Sequence, residues 1–175
     1  MEKENIQDAL LKELSGFDRL LISYSGGIDS TLLAVFTQKA LHERAKCILF
    51  DAPIVQRRAV NDAVEITCRF GLSYSILPFF IMENEEFRKN SPNRCYICKK
   101  QSARILRDQA EKLAISNVAD GINASDLNEY RPELQACNEE KIIPPFLSLK
   151  IHKFEIRQMA QIAVLISGIN LHLHV

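Results

Sequence analysis

Residues 20–31 read L-L-I-S-Y-S-G-G-I-D-S-T, and this stretch decides the fold. Leu20–Tyr24 is a short apolar run of the kind found in a strand covered on both faces. A glycine pair follows, and T-L-L-A-V-F-T-Q-K-A-L then has the length and period of a helix. Gly26 and Gly27 remove two Cβ atoms, so the backbone can turn sharply and bring its N–H groups close to an anion. The following helix aims its positive end at the same point. Ser25, Ser30 and Thr31 add hydroxyl donors for phosphate oxygens, and Asp29 is a candidate magnesium ligand, since hard cations prefer oxygen. The plainer alternative is a tight turn in which Asp29 or Ser30 only caps the helix. The segment lacks the lysine of G-x-x-x-x-G-K-[ST], and it is not G-x-G-x-x-G.

Outward from this turn the chain alternates. Ile6, Leu10 and Leu14 recur at helical spacing before the first strand, with Gly16 as a stop. After it come a strand at Cys47–Phe50, a helix at Gln56–Phe70, a strand at Ser73–Leu77, a helix at Arg94–Leu113 and a strand at Asn117–Ala119. Such alternation predicts right-handed βαβ units, hence an α/β fold with a parallel sheet and helices on both faces. Pro144 and Pro145 mark a break, and a final helix is predicted at Lys153–Val164.

The chain has 175 residues, 47% of them hydrophobic, with 22 Lys+Arg against 22 Asp+Glu. That length suits one domain, able to bury roughly 70% of its unfolded surface without a disulfide or metal staple. Zero net charge argues against coating nucleic acid or membrane by bulk charge. The start, M-E-K-E-N-I-Q-D, is acidic and polar, unlike a signal peptide. No apolar run approaches the ~20 residues that span a bilayer. A cytoplasmic protein with no membrane partner is expected. The five cysteines are an odd number, and they fit free thiols better than a disulfide frame.

Charge is nevertheless segregated. Between Arg88 and Arg107 stand seven basic residues and no acidic one. Arg94, at the predicted start of its helix, would present a planar fork to a phosphate or carboxylate, and Lys99 five residues on could reach the same ligand. Lys100 and Arg107 read as a solvated face. Cys95 and Cys98 leave three readings open: half a zinc site without a second pair, a redox pair, or small residues that are buried or line a substrate. Between Asp120 and Glu140 the sign reverses, with six acidic residues against Arg131. Asp120, Asn123 and Asp126 follow a strand and are candidates to face metal-bound phosphate or a ribose. Arg131 could clamp an acidic substrate, and Glu139 and Glu140 read as solvated.

Taken together, S-G-G-I-D-S resembles the pyrophosphate loop of the PP-loop ATP pyrophosphatase superfamily. With N-R-C-Y-I-C-K, D-G-I-N-A-S-D-L-N-E-Y-R-P-E-L and K-F-E-I-R in the same order, residues 11–160 are similar to its LarE family of ATP-dependent sacrificial sulfur transferases. In this chain Ile122 stands for the family's usual Thr, Ser125 for an Asp, Glu133 for a Gly and Pro144 for a Ser. The resemblance implies a three-layer, adenine nucleotide alpha hydrolase-like sandwich with about five strands. It implies a domain over 1–160, followed by a divergent tail at 161–175 that does not match the family's W-x-K-P segment with its sacrificial cysteine. A truncated or frame-shifted product is one expectation from that ending.

The activity implied is AMP transfer from ATP to a small carboxylate with loss of pyrophosphate, then sulfur transfer, as on the pyridinium dicarboxylate precursor of the nickel-pincer cofactor. ATP and Mg2+ would sit at Ser25, Gly26, Gly27, Asp29 and Ser30, with Asp120 and Asn123 completing the nucleotide site. Asp29, Arg94 and Lys99 are the catalytic candidates. Arg94, Cys95, Lys99, Asp126 and Arg131 are the candidates for a small anionic substrate, in a homo-oligomer. Two other readings stay open: a tRNA-modifying PP-loop enzyme that uses the basic run for RNA, and a nucleotide-binding remnant without catalysis.

Overall fold

A computed structural model describes residues 5–128 and 131–167. The chain runs α1 (Ile6–Ser15), β1 (Leu20–Tyr24), α2 (Ile28–Leu41), β2 (Ala45–Asp51), α3 (Arg57–Arg69), β3 (Tyr74–Pro78), α4 (Glu85–Arg88), α5 (Arg94–Lys112), β4 (Asn117–Ala119), α6 (Pro132–Glu139), α7 (Pro145–Ser148) and α8 (Lys153–Ser167). The four strands form one parallel sheet in the order β3-β2-β1-β4. About five strands were expected. In the fifth position, beyond β4, there is a single parallel bridge between Ala119 and Ile143, closed by Ile143 N–H to the Val118 carbonyl at 2.8 Å.

Alternation along β1 divides the core. Leu20, Ile22 and Tyr24 face a layer made by Leu10 and Leu14 of α1, Leu33 of α2, Val60 and Ala63 of α3, and Ile156 of α8. Leu21 and Ile48 face the other layer, with Ala103, Leu106 and Ala110 of α5 and Cys137 of α6. The sheet is thus covered on both sides, and this is why its strands read as continuous apolar runs. Helix α2 lies between α1 and α8. It is apolar nearly all round, and Thr37 in its middle is tolerated because its hydroxyl donates to the Leu33 carbonyl at 2.7 Å. Burial pushes the Tyr24 hydroxyl up to about 12 while it donates to the Ala63 carbonyl at 3.1 Å.

The strand order positions the site. β1 to β2 to β3 builds in one direction, and the chain then returns to add β4 on the other side of β1. That reversal opens a crevice at the carboxyl ends of β1 and β4, where open parallel sheets bind ligands. Ile22 is in register with Ala119, so the loop after Tyr24 and the residues after Ala119 emerge side by side.

Helix α8 runs Lys153–Ser167, three residues past the expected end at Val164. Residues 168–175, including His172 and His174, lie outside the described part. Among the described residues no helix is long and apolar enough to cross a membrane, and no group of three His, Cys, Asp or Glu could hold a metal ion.

Candidate active site

The glycine turn is built as its residues demand. Gly26 has φ +80°, and a Cβ there would lie 2.5 Å from the Ala63 Cβ, so both backbone conformation and packing require glycine. Gly27 caps α2 without a side chain, while its N–H donates to Ser25 Oγ at 3.3 Å. Ser30 Oγ accepts the Ser25 N–H at 3.2 Å and donates to the Gly27 carbonyl at 3.1 Å. The loop is therefore closed on itself by its own serines, and the first N–H groups of α2 have no partner within the helix. The capping alternative is thereby narrowed: Ser30 braces the loop, and Asp29 caps nothing.

Asp29 points instead into a cavity of about 560 Å3, together with Ser23, Ser25, Lys99, Asp120, Glu133 and Lys153. Its Oδ2 accepts Lys153 Nζ at 2.5 Å and lies 3.5 Å from Asn123 Nδ2. Its Oδ1 is buried without a hydrogen-bond partner. Across the crevice Asp120 holds Lys99 Nζ at 2.5 Å. Burial alone would lower the Lys99 ammonium, but the Asp120 carboxylate beside it outweighs that, and the net shift is upward. Lys99 is firmly protonated.

The segment after β4 is held by local hydrogen bonds. Asn123 is 1% exposed. Its Oδ1 accepts the Ser125 N–H at 3.0 Å, and its own N–H donates to Asp126 Oδ2 at 3.0 Å. Asp126 Oδ1 in turn meets Arg131 Nη2 at 3.0 Å. Ser125 Oγ accepts the Lys153 N–H at 3.0 Å, which ties the start of α8 to this turn. Gly121 also has a reason: a Cβ there would stand 3.0 Å from the Ser30 nitrogen and 3.1 Å from the Asp29 carbonyl carbon, so a side chain would push the β4 exit off the glycine turn.

Of the residues singled out from the sequence, Ser25, Asp29, Ser30, Lys99, Asp120, Asn123, Asp126 and Arg131 line one cavity. Gly26 and Gly27 shape the loop at its rim. Arg94 and Cys95 do not line it. Arg94 donates to Asn90 Oδ1 at 3.1 Å and lies over the Phe87 ring, 4.6 Å from its centroid. Five residues turn an α-helix by about 140° beyond a full circle, so Arg94 and Lys99 face different directions. The sequence reading missed Lys153, Arg157 and Gly121. The motif K-F-E-I-R marked a helix there, but no local pattern ties Lys153 to a loop 124 residues earlier.

The basic run is not a free anion field. Lys100 Nζ is 2.6 Å from both Glu139 Oε2 and Glu140 Oε1. Arg104 Nε is 3.1 Å from Glu140, and Tyr96 donates to Glu139 at 2.7 Å. Arg107 donates to the Ser116 carbonyl at 3.0 Å. Lys100, Arg107, Glu139 and Glu140, expected to be solvated, are partnered between α5, α6 and the start of β4, and Glu139 is exposed as well. Hydrogen bonds from Lys100, Tyr96 and Gln135 hold the Glu139 carboxyl down at about 2. The five thiols are free; burial pushes Cys137 up to about 11 and raises Cys98, and none of the five cysteines lines the cavity.

Comparisons with known proteins bear on the family and the fold. Residues 3–116 match the family described as NAD synthase. An uncharacterised Synechocystis protein is 36% identical over 145 residues, 83% of this chain and 54% of that protein. The pyridinium-3,5-bisthiocarboxylic acid mononucleotide synthase of Lactiplantibacillus plantarum is 24% identical over 153 residues, 87% of this chain and 55% of that protein. The chain thus spans about half the length of these curated relatives. The NH3-dependent NAD synthetase structure from Campylobacter jejuni superposes with a TM-score of 0.72 at 22% identity, over 93% of this chain and 74% of that one.

Proposed function

The chain belongs to the NAD synthase family, within the PP-loop ATP pyrophosphatase superfamily, and from that premise we propose that it transfers AMP from ATP to a small carboxylate and releases pyrophosphate. The observation that carries this reading is the convergence of two lysines, Lys153 and Lys99, on either side of a phosphate loop that has no lysine of its own. Cleavage between the α and β phosphates needs a grip on the leaving pyrophosphate and positive charge at the α phosphate, more than any acid or base. In this reading Ser25, Ser30 and the first N–H groups of α2 hold the pyrophosphate. Lys153 leaves Asp29 for the phosphate oxygens. Lys99, kept protonated beside Asp120, faces the α phosphate and the incoming carboxylate oxygen, and Arg131 orients the substrate anion.

The buried, unpartnered Oδ1 of Asp29 fits a hard cation. Asp29 would hold Mg2+, which neutralises charge on the phosphates. Asp120 has the same donor chemistry on the opposite wall.

Sulfur transfer to the activated carboxyl is the onward step we favour, following the name of the Lactiplantibacillus plantarum relative. With no cysteine lining the cavity, the sulfur in this reading comes from outside the residues described here. The tRNA reading is less favoured, because two of the seven basic charges meant for RNA, Lys100 and Arg104, are paired with Glu139 and Glu140. Exchange of labelled pyrophosphate into ATP, measured across a panel of carboxylic acids, tests the proposal. Acid-dependent exchange that Asp29→Ala abolishes supports it. Binding of ATP with no exchange for any acid leaves the remnant reading in its place.

A further inference from the structure

Four carboxylates face the cavity: Asp29, Asp120, Asp126 and Glu133. Three are answered by cations of the chain itself, Lys153, Lys99 and Arg131. Glu133 is different. It is the second residue of α6, directly after Pro132, and its Oε2 is buried with no hydrogen-bond partner. A buried polar oxygen without a donor destabilises the empty protein. Ile122 and Leu134 also line the cavity, so part of its wall is apolar.

We propose that Glu133 receives a protonated amine on the substrate, so that the acid activated here is an amine-bearing carboxylate. The inference rests on the adenylation reading for its carboxylate half only. The ammonium pairs with the Glu133 carboxyl at the cavity wall, while the substrate carboxylate reaches towards Lys99 and Arg131, which line the same cavity. No bond is made or broken at Glu133, which acts as a specificity residue.

The test uses matched acids with and without an amine: 4-aminobutyrate and butyrate, β-alanine and propionate, 4-(aminomethyl)benzoate and 4-methylbenzoate. In pyrophosphate exchange the amine member of at least one pair should be favoured by about tenfold or more, the value of a charge-assisted hydrogen bond. Glu133→Gln should bring that ratio near one, mainly through KM. Equal stimulation within every pair, or a ratio that survives Glu133→Gln, overturns the proposal. Thermal shifts with the same compounds separate it from the adenylation reading. If no acid supports exchange but amines stabilise the wild type and not Glu133→Gln, adenylation fails and the amine site stands. If amines stabilise neither protein or both equally, the amine site fails as well. Without ligand, Glu133→Gln should melt no lower than the wild type, because Oε2 has no hydrogen bond to lose. A clearly lower Tm would show that Oε2 is paired in solution and would overturn the inference.

Discussion

Lys153, at the start of the last described helix, places its ammonium 2.5 Å from Oδ2 of Asp29 in the first βα turn. The two residues close the crevice from opposite ends of the chain. In the empty site the ammonium compensates the carboxylate, and in the proposed complex it is exchanged for phosphate. Lys153→Met should therefore weaken ATP binding by about 10–100-fold, the loss of a charge-assisted bond of ~1.5–3 kcal/mol. Calorimetric titration with ATP measures this, and Lys153→Arg should recover part of it.

Lys99 and Arg94, although close in sequence, should part company in function. Lys99→Met leaves Asp120 unpaired in a partly buried position, and should cost ~1–3 kcal/mol of stability as well as exchange activity. Adding Asp120→Asn should restore most of the stability and none of the activity. Arg94→Ala, which removes only the contacts to Asn90 and Phe87, should leave the KM for ATP unchanged. Urea unfolding together with exchange kinetics checks all three variants.

Gly26→Ala should be severe. At φ +80° an L-residue is strained by ~1–2 kcal/mol, and the new methyl would meet the Ala63 Cβ at 2.5 Å. With overpacking of ~1–3 kcal/mol, a total loss of ~2–5 kcal/mol is expected. Gly26→Ala with Ala63→Gly should recover the steric part and not the backbone part. Denaturant midpoints separate the two.

The Glu139 carboxyl, held at about 2 by hydrogen bonds from Lys100, Tyr96 and Gln135, gives a pH signature. Its folded value lies below its ordinary one, near 4.5. The stability it contributes is therefore fully present above pH ~4.5 and is lost as pH falls towards 2. Glu139→Gln should be less stable than the wild type at pH 6, and the difference should vanish towards pH 2. Because the group is exposed, added salt should shrink the difference. Acid titrations at low and high salt would show it.

Much of this was legible locally. Leu20–Tyr24 and Asn117–Ala119 are strands as their apolar runs suggest, and the glycine turn sits between strand and helix as Gly26 demands. The neighbourhood of Asp120 and the phosphate loop followed from both standing at strand ends. What was not legible is what depends on tertiary pairing. A lysine in a basic run looks solvated until α6 brings Glu139 and Glu140 to Lys100. Lys153 gives no sign of Asp29, and Arg94 looks like a partner of Lys99 until helical geometry turns them apart. The fifth strand was expected by family likeness, and Ile143 supplies a bridge in its place.

The identity of the nucleotide product tests the central claim most directly. When ATP is incubated with Mg2+, the protein and the acid that best supports exchange, the account predicts AMP and pyrophosphate in equal amounts, resolved by 31P NMR, and neither from Asp29→Ala. Release of ADP and orthophosphate instead would mean that the loop serves cleavage at the γ phosphate, and would contradict it.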